Sequence, residues 1–504
     1  MLSRIILRIR RSGECPVLHD SQRRTKVICT IGPSSQSLEV MRGLLTEGMN
    51  IARLNMSHGT HEYHAETCAL LRQAANETGK NLGIMMDLQG PKIRTGNLVD
   101  GQTVHLKVGA PFCITTEEVE GTEEKVSTTY KPLPQDVHSG DAIFMADGVL
   151  ELEVTSVTDT DVQCIVVHGG HLGEHKGINL PGVDVSSPAM TPKDVTDLEF
   201  GIENLDIDFV ALSFVRNAED VVDLKRRIAK TEKKLSVVAK IERPEALKNF
   251  SDILDVTDVV MIARGDLGVE VPLNEVPQIQ KRLISECNDV GVPVITATQM
   301  LESMISSARP TRAEVADVAN AIYDGTDAVM LSGETASGQF PVRTAEVMSQ
   351  IAQDADISLS EEPSHNRILR MRESGIRQGK GSYGDAIGQA VCRTAHAIGA
   401  TRIICFTKLG FTAALIARYR PSVPITAVTR EENIQHRCSI IWGVDSIMTA
   451  ESPNMETLDD LVDRILLENN LADPGDTVVI AGGVPFAIRT RTNMMKLHTV
   501  GGSL

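Results

Sequence analysis

The chain has 504 residues, of which 42% are apolar and 23% charged; it is too apolar for general disorder and long enough for several domains around a large core. Lys and Arg number 50 against 67 Asp and Glu, a formal net charge of −17, which leaves no broad electropositive face for nucleic acid, and no apolar run is long enough to span a bilayer. The nine cysteines are scattered and never form C-x-x-C, which argues against a disulfide framework or a zinc site and for a reducing compartment, the cytoplasm.

Residues 1–22 read as an N-terminal extension. Arg4, Arg8, Arg10 and Arg11 precede any acidic residue while Leu2, Ile5, Ile6 and Ile9 recur at helical spacing, the pattern of a mitochondrial or plastid transit peptide, with a plain extension as the alternative. From Thr25, β-branched runs alternate with helical segments. Eight such runs begin at Thr25, Asn50, Gly83, Asp208, Ser236, Val259, Pro293 and Asp327, and every step but one is the length of a single βα unit. This predicts a (β/α)8 TIM barrel, a doubly wound sheet being the weaker option. Two helix starts are explicit: Thr191 with Pro192 and Asp194, and a capping box from Thr311 to Glu314 followed by Val315, Val318 and Ile322.

The long step, from Gly83 to Asp208, predicts a domain inserted between the third strand and its helix. Its alternating segments VLELEVTSVT and DVQCIVV, with Asp100-Gly101 and Asp147-Gly148 as hairpin turns, make it a small β-rich module, placed to act as a lid over the C-terminal ends of the strands. The barrel is therefore expected at 23–90 and 188–357 and the insert at 91–187. A polar connector follows Leu359. The C-terminal open α/β domain, within 358–504, carries strands at RIICFT, PITAVT, VDSIMT and TVVIAGG.

Polar residues crowd the C-terminal ends of the predicted barrel strands. They are Arg53, Asn55, Ser57 and His58; Asp87, Lys92 and Arg94; Lys240 and Glu242; Arg264, Gly265 and Asp266; Thr296, Thr298 and Gln299; and Ser332, Glu334 and Thr335. Residues i and i+2 of a strand share a face, so Lys240 and Glu242 point together into the barrel mouth, as do Arg53, Asn55 and Ser57. Glu242 and Asp266, on adjacent strands, suit a hard divalent cation such as Mg²⁺, and the nearby Lys and two Arg suit a phosphorylated anion. The histidine groups His58, His61, His64 and His168, His171, His175 match no metal-ligand spacing. The residues thus describe a Mg²⁺-dependent enzyme acting on a phosphorylated or carboxylated small molecule; an enolate-forming lyase or aldolase fits them equally.

The motifs TKVICTIGPSS, ARLNMSHG, DLQGPKIRTG, VVAKIERPEAL, ARGDLGVE, TATQMLESM, PTRAEVADVANAIYDGTDAVMLSGETASG and TKLGFTAALIARYRP, in this order, closely resemble the pyruvate kinase family from about Arg24 to the C-terminus. The resemblance implies a homotetramer that transfers the phosphoryl group of phosphoenolpyruvate to ADP, with a catalytically dead homologue as a further alternative. It also implies roles: Glu242 and Asp266 as Mg²⁺ (or Mn²⁺) ligands, Lys240 as the stabiliser of transferring charge, and Gly265, Asp266 and Thr298 on the substrate carboxylate. Arg53 would meet the substrate phosphate, while Arg53, Asn55, His58, Arg94 and Lys193 would lie on the nucleotide side. Thr298 and Ser332, through water, are the candidates for protonating the enolate.

Two departures from the family pattern carry expectations. The family's K⁺ site maps onto Asn55, Ser57, Asp87 and the Leu88 carbonyl, but Lys92 stands where K⁺-requiring members have Glu, so its ammonium is expected to replace the cation and K⁺ not to be required. In the C-terminal domain the family's T-K-S-G-R-S effector loop becomes Thr407, Lys408, Leu409, Gly410, Phe411 and Thr412, which loses a hydroxyl and a cation. A monophosphate effector, or none, is expected in place of a sugar bisphosphate.

Overall fold

The computed structural model describes residues 23–146, 148–183, 185–186, 188–361, 383–486 and 490–502. The expected transit segment and most of the expected connector lie outside the described residues. Three strands open the chain: β1 (Lys26–Thr30), β2 (Met49–Asn55) and β3 (Gly83–Asp87). Eight more belong to the insert: β4 (Val104–Leu106), β5 (Pro111–Thr115), β6 (Lys125–Ser127), β7 (Ala142–Met145), β8 (Leu150–Val157), β9 (Asp161–His168), β10 (Gly170–Leu172) and β11 (Ile178–Asn179). Then β12 (Phe209–Leu212), β13 (Ser236–Ile241), β14 (Val259–Ala263), β15 (Val294–Ala297) and β16 (Ala328–Leu331) complete a closed parallel barrel in the order β1-β16-β15-β14-β13-β12-β3-β2.

The barrel strands read as nearly unbroken buried runs because helices cover their outer face and side chains fill the inside. Alternation still divides them. Val27, Cys29, Ala52, Leu54, Val210 and Leu212 pack outward among the helices. Ile28, Ile51, Met85, Phe209, Ala211 and Val238 fill the interior. Both capping boxes form: Thr191 and Thr311 accept from the backbone N–H of Asp194 and Glu314, whose carboxylates reach back to the cap. Val318 and Ile322 are buried as expected, but Val315 remains 37% exposed, since only the later turns of that helix reach the barrel wall.

The insert forms a six-stranded sheet in the order β11-β7-β8-β9-β5-β6 and a two-stranded ribbon of β10 and β4, around its own core. The β7–β8 hairpin turns at Ala146 and Gly148, both with positive φ; Asp147 is outside the described residues. Asp100 and Gly101 also take positive φ, but they do not make the expected hairpin. Gly101 N–H closes locally on the Leu98 carbonyl, and the strand that follows, β4, pairs with β10.

The C-terminal domain is a sheet of β17 (Arg402–Phe406), β18 (Ile425–Thr429), β19 (Val444–Met448), β20 (Thr477–Gly482) and β21 (Met494–Thr499), ordered β19-β18-β17-β20-β21. The antiparallel β21 is not among the strands read from sequence; as a half-exposed edge strand its burial lacks a regular alternation. This domain docks under the N-terminal ends of the barrel strands. Lys26 donates to the Val444 carbonyl, Arg420 lies 3.1 Å from Asp327, and Asp356 accepts from Arg24 N–H, Thr25 N–H and Trp442 Nε1. Insert and C-terminal domain therefore occupy opposite ends of the barrel.

Candidate active site

Strand periodicity places the site. The interior residues Ile28, Ile51, Met85, Ala211 and Val238 are followed two positions later by Thr30, Arg53, Asp87, Ser213 and Lys240, so the apolar barrel filling gives way to one polar layer at the mouth. Within it Arg53 donates from Nε to Asp87 Oδ2 at 2.7 Å and from Nη1 to Thr30 Oγ1 at 3.0 Å. Lys240 Nζ lies 3.3 Å from Asp87 Oδ1 and 3.0 Å from Glu242 Oε1, and donates to Ser213 Oγ at 2.7 Å. Glu242 Oε2 accepts from Phe214 N–H at 2.7 Å. Glu242 Oε1, although 3.0 Å from the ammonium, is buried without a hydrogen bond of good geometry.

All these charges are buried, and their neighbours decide their ionisation. Burial pushes the Asp87 carboxyl up, but Lys240 and Arg53 outweigh it and hold it below the usual carboxylate range. Burial likewise lowers the Lys240 ammonium, and Asp87 with Glu242 more than restores it. For Glu242 burial prevails over Lys240, and Asp266 adds repulsion, so its carboxyl is raised. A second carboxylate close enough to raise the first, plus an unsatisfied buried oxygen, is a donor set that fits a hard divalent ion.

The other strand ends divide. Thr298 takes a φ of 69°, costly for a β-branched residue by roughly 1–3 kcal/mol, and its Oγ1 accepts from Gly265 N–H at 2.7 Å, which brings the ends of β14 and β15 together. Asp266 sits in the first turn of the helix Arg264–Glu270, its side chain 30% exposed to the cleft. Ser332 follows β16, its N–H donating to Glu334 Oε2. Four residues expected at the mouth do not supply it. Arg264 turns to Asp317 at 2.7 Å, Thr296 faces outward to Thr326, Glu334 caps Leu301 and Ser332 N–H groups, and Thr335 donates to the Thr30 carbonyl. Their partners come from distant segments that strand periodicity does not report.

Beside the polar layer, Asn55 faces Asp87 across the β2–β3 ladder and accepts from Ser57 N–H, while the Leu88 carbonyl accepts from Ser213 Oγ at 2.7 Å. His58 is held below its ordinary value by burial first and then by Arg94, Lys92 and Arg53, which gathers these cations around one imidazole. Lys193 Nζ donates to the Met56 carbonyl and Asp197, and Arg94 to the His175 carbonyl. Lys92 Nζ points across the cleft to 3.9 Å from Asp266 Oδ1. The insert touches the barrel through Asn179, which donates to Glu270 Oε1, itself 3.4 Å by its other oxygen from Arg243. The histidine groups disperse: His61 bonds Asp197, His64 the His58 carbonyl and His168 Glu151.

At the other end of the molecule a cavity of about 1020 Å³ opens in the C-terminal domain, lined by Thr407, Lys408 and Thr412 together with Arg430 and Arg491. Gly410 caps the helix Phe411–Ala417 with a φ of 83°, and Thr412 is hydrogen-bonded to Thr492. Arg430 and Arg491 were not singled out from sequence, because nothing local joins them to residues 407–412.

The model of the pyruvate kinase barrel domain matches residues 22–345 and that of the pyruvate kinase alpha/beta domain residues 385–498. A pyruvate kinase of Geobacillus stearothermophilus is 45% identical over 489 residues, and one of Staphylococcus aureus 43% over 484; each match covers 96% of this chain and 81% of the relative. The crystal structure of a pyruvate kinase from Cryptosporidium parvum superposes with a TM-score of 0.88 at 37% identity, covering 97% of this chain and 100% of that one.

Proposed function

The chain belongs to the pyruvate kinase family, and on that premise we propose how its own residues share the transfer of the phosphoryl group from phosphoenolpyruvate to ADP. The protein is a phosphotransferase whose products are pyruvate and ATP, and the lyase alternative falls away. One observation supports the assignment of roles above the rest: a buried ammonium, Lys240, stands 3.0 Å from a buried carboxylate oxygen of Glu242 that has no other partner among the described residues.

The family generally uses Mg²⁺. In this chain Glu242 and Asp266 would hold Mg²⁺ or Mn²⁺, which when bound neutralises developing negative charge on the transferred group and the enolate. Lys240, fixed in place by Asp87 and Ser213, stabilises the same charge without reorganising. The N-terminal turn that carries Gly265 and Asp266, closed by Thr298, receives the substrate carboxylate. Arg53 meets the phosphate, and Asn55, His58, Arg94 and Lys193 meet the nucleotide beneath the lid at 91–187. Thr298 or Ser332, through water, returns a proton to the enolate carbon.

Lys92 makes K⁺ unnecessary: its ammonium already lies by Asp266 and repels a further cation at Asn55, Ser57, Asp87 and Leu88. The C-terminal cavity binds at most a monophosphate effector, with Lys408, Arg430 and Arg491 as its cations and Thr407, Gly410 and Thr412 framing it. Assembly as a homotetramer is part of the same reading, tested by sedimentation equilibrium. No helix of the described residues is long and apolar enough to cross a membrane. The cytoplasm is the proposed compartment, and a reporter fused to residues 1–22 tests the organellar alternative.

The metal assignment is tested without turnover. Titration of Mn²⁺, followed by loss of the free-ion EPR signal, should show a site in the parent that weakens at least tenfold in Glu242→Gln and in Asp266→Asn. Unaltered binding in both variants refutes the assignment.

A further inference from the structure

The turn that follows β12 contacts both Lys240 and Glu242. Ser213 is 2% exposed. Its single hydroxyl proton goes to the Leu88 carbonyl at 2.7 Å, so its lone pairs are left to accept from Lys240 Nζ, also at 2.7 Å. The next residue, Phe214, has a φ of 55° although it is not glycine, and this left-handed step aims its N–H at Glu242 Oε2. The Phe214 ring lies under the guanidinium of Arg243, 5.6 Å from its centroid. Gly90, at the entry to the lid, approaches so closely that a Cβ there would stand 2.8 Å from the Phe214 ring and 2.9 Å from Ser213 Cβ. Arg216 donates to the Val185 carbonyl, on the segment by which the chain leaves the lid.

We infer that the turn Ser213–Arg216 is a positioning element for the reaction: Ser213 sets the Lys240 ammonium, the left-handed Phe214 sets the Glu242 carboxylate, and Phe214 with Arg216 ties that pair to both crossings of the lid hinge. None of these groups needs to touch substrate. The inference rests on the reading that Lys240 and Glu242 serve the reaction, so Lys240→Met and Glu242→Gln are measured alongside.

Removing the Ser213 hydroxyl leaves the ammonium free to follow Asp87 or Glu242 out of line. Ser213→Ala should lower kcat roughly 10- to 100-fold with the KM for phosphoenolpyruvate changed less than about threefold, and Ser213→Thr should recover most of the loss. For Phe214 the discriminating pair is Ala against Gly. Both lose the ring, but only Gly accepts a φ of 55° without strain and keeps the N–H aimed at Glu242. Direct Mn²⁺ binding should therefore weaken several-fold more in Phe214→Ala than in Phe214→Gly. If Lys240→Met or Glu242→Gln retains parental kcat, the underlying site reading has failed. If both lose activity while Ser213→Ala keeps kcat within twofold, or the two Phe214 variants bind Mn²⁺ equally, the positioning role is refuted.

Discussion

Lys92 and His58 give the residue-scale test of the nucleotide side. His58 is held below the ordinary histidine value by burial and then by three cations, of which Lys92 is one. Folding disfavours the charged form, so stability held above the ordinary histidine value is lost as the pH falls from that value through the lower one of the folded state. Lys92→Glu replaces repulsion by attraction. The His58 resonances should titrate at higher pH in Lys92→Glu than in the parent, as NMR will show; a lower or unmoved midpoint contradicts the placement of Lys92. The same variant bears on the monovalent cation. In tetramethylammonium buffer the parent should work at full rate, whereas Lys92→Glu should be nearly inactive until K⁺ is added. A many-fold activation of the parent by K⁺ would show that the ammonium does not replace it.

At the scale of elements, one contact between the proposed lid and the barrel can be reversed. Asn179 of β11 donates to Glu270, whose carboxyl is already raised by burial against the pull of Arg243. Asn179→Asp would set a carboxylate against a carboxylate. Its expected result is a lid that stands open, seen as a larger radius of gyration in solution scattering and a KM for ADP raised several-fold; an unchanged KM and radius would mean the contact does not hold the lid. Elements of this kind also show what a sequence exposes. The eight strands and both capping boxes are legible because a parallel strand and a helix start are encoded within a few adjacent residues. Lys240, Glu242, Arg53 and Asp87 were legible as a layer because strand periodicity continues one step past the apolar filling. Position at a strand end places Arg264 at the mouth, where the structure does not have it, and singles out none of Ser213, Phe214 and Asn179. Each depends on a partner brought from another unit: Asp317, Lys240, Glu242 and Glu270 in turn.

For the whole molecule, the barrel separates two places: the polar layer at the C-terminal ends of its strands, where the chemistry is proposed, and a cationic cavity in the domain docked at the opposite end. Leu409 and Phe411, the latter 64% exposed at that cavity, offer no side-chain donor to a second phosphate. Micromolar fructose 1,6-bisphosphate should leave the half-saturating phosphoenolpyruvate concentration of the parent unchanged, and the double variant Leu409→Ser, Phe411→Arg should acquire a response. A large drop in the parent would overturn this. The most direct test of the assigned chemistry is pyruvate formation from phosphoenolpyruvate and ADP by the purified full chain, with and without Mg²⁺, beside Lys240→Met of equal thermal stability. The expected result is Mg²⁺-dependent pyruvate formation that falls on the order of 10²- to 10³-fold in the variant. No pyruvate from the parent, or an undiminished rate in Lys240→Met, would contradict it.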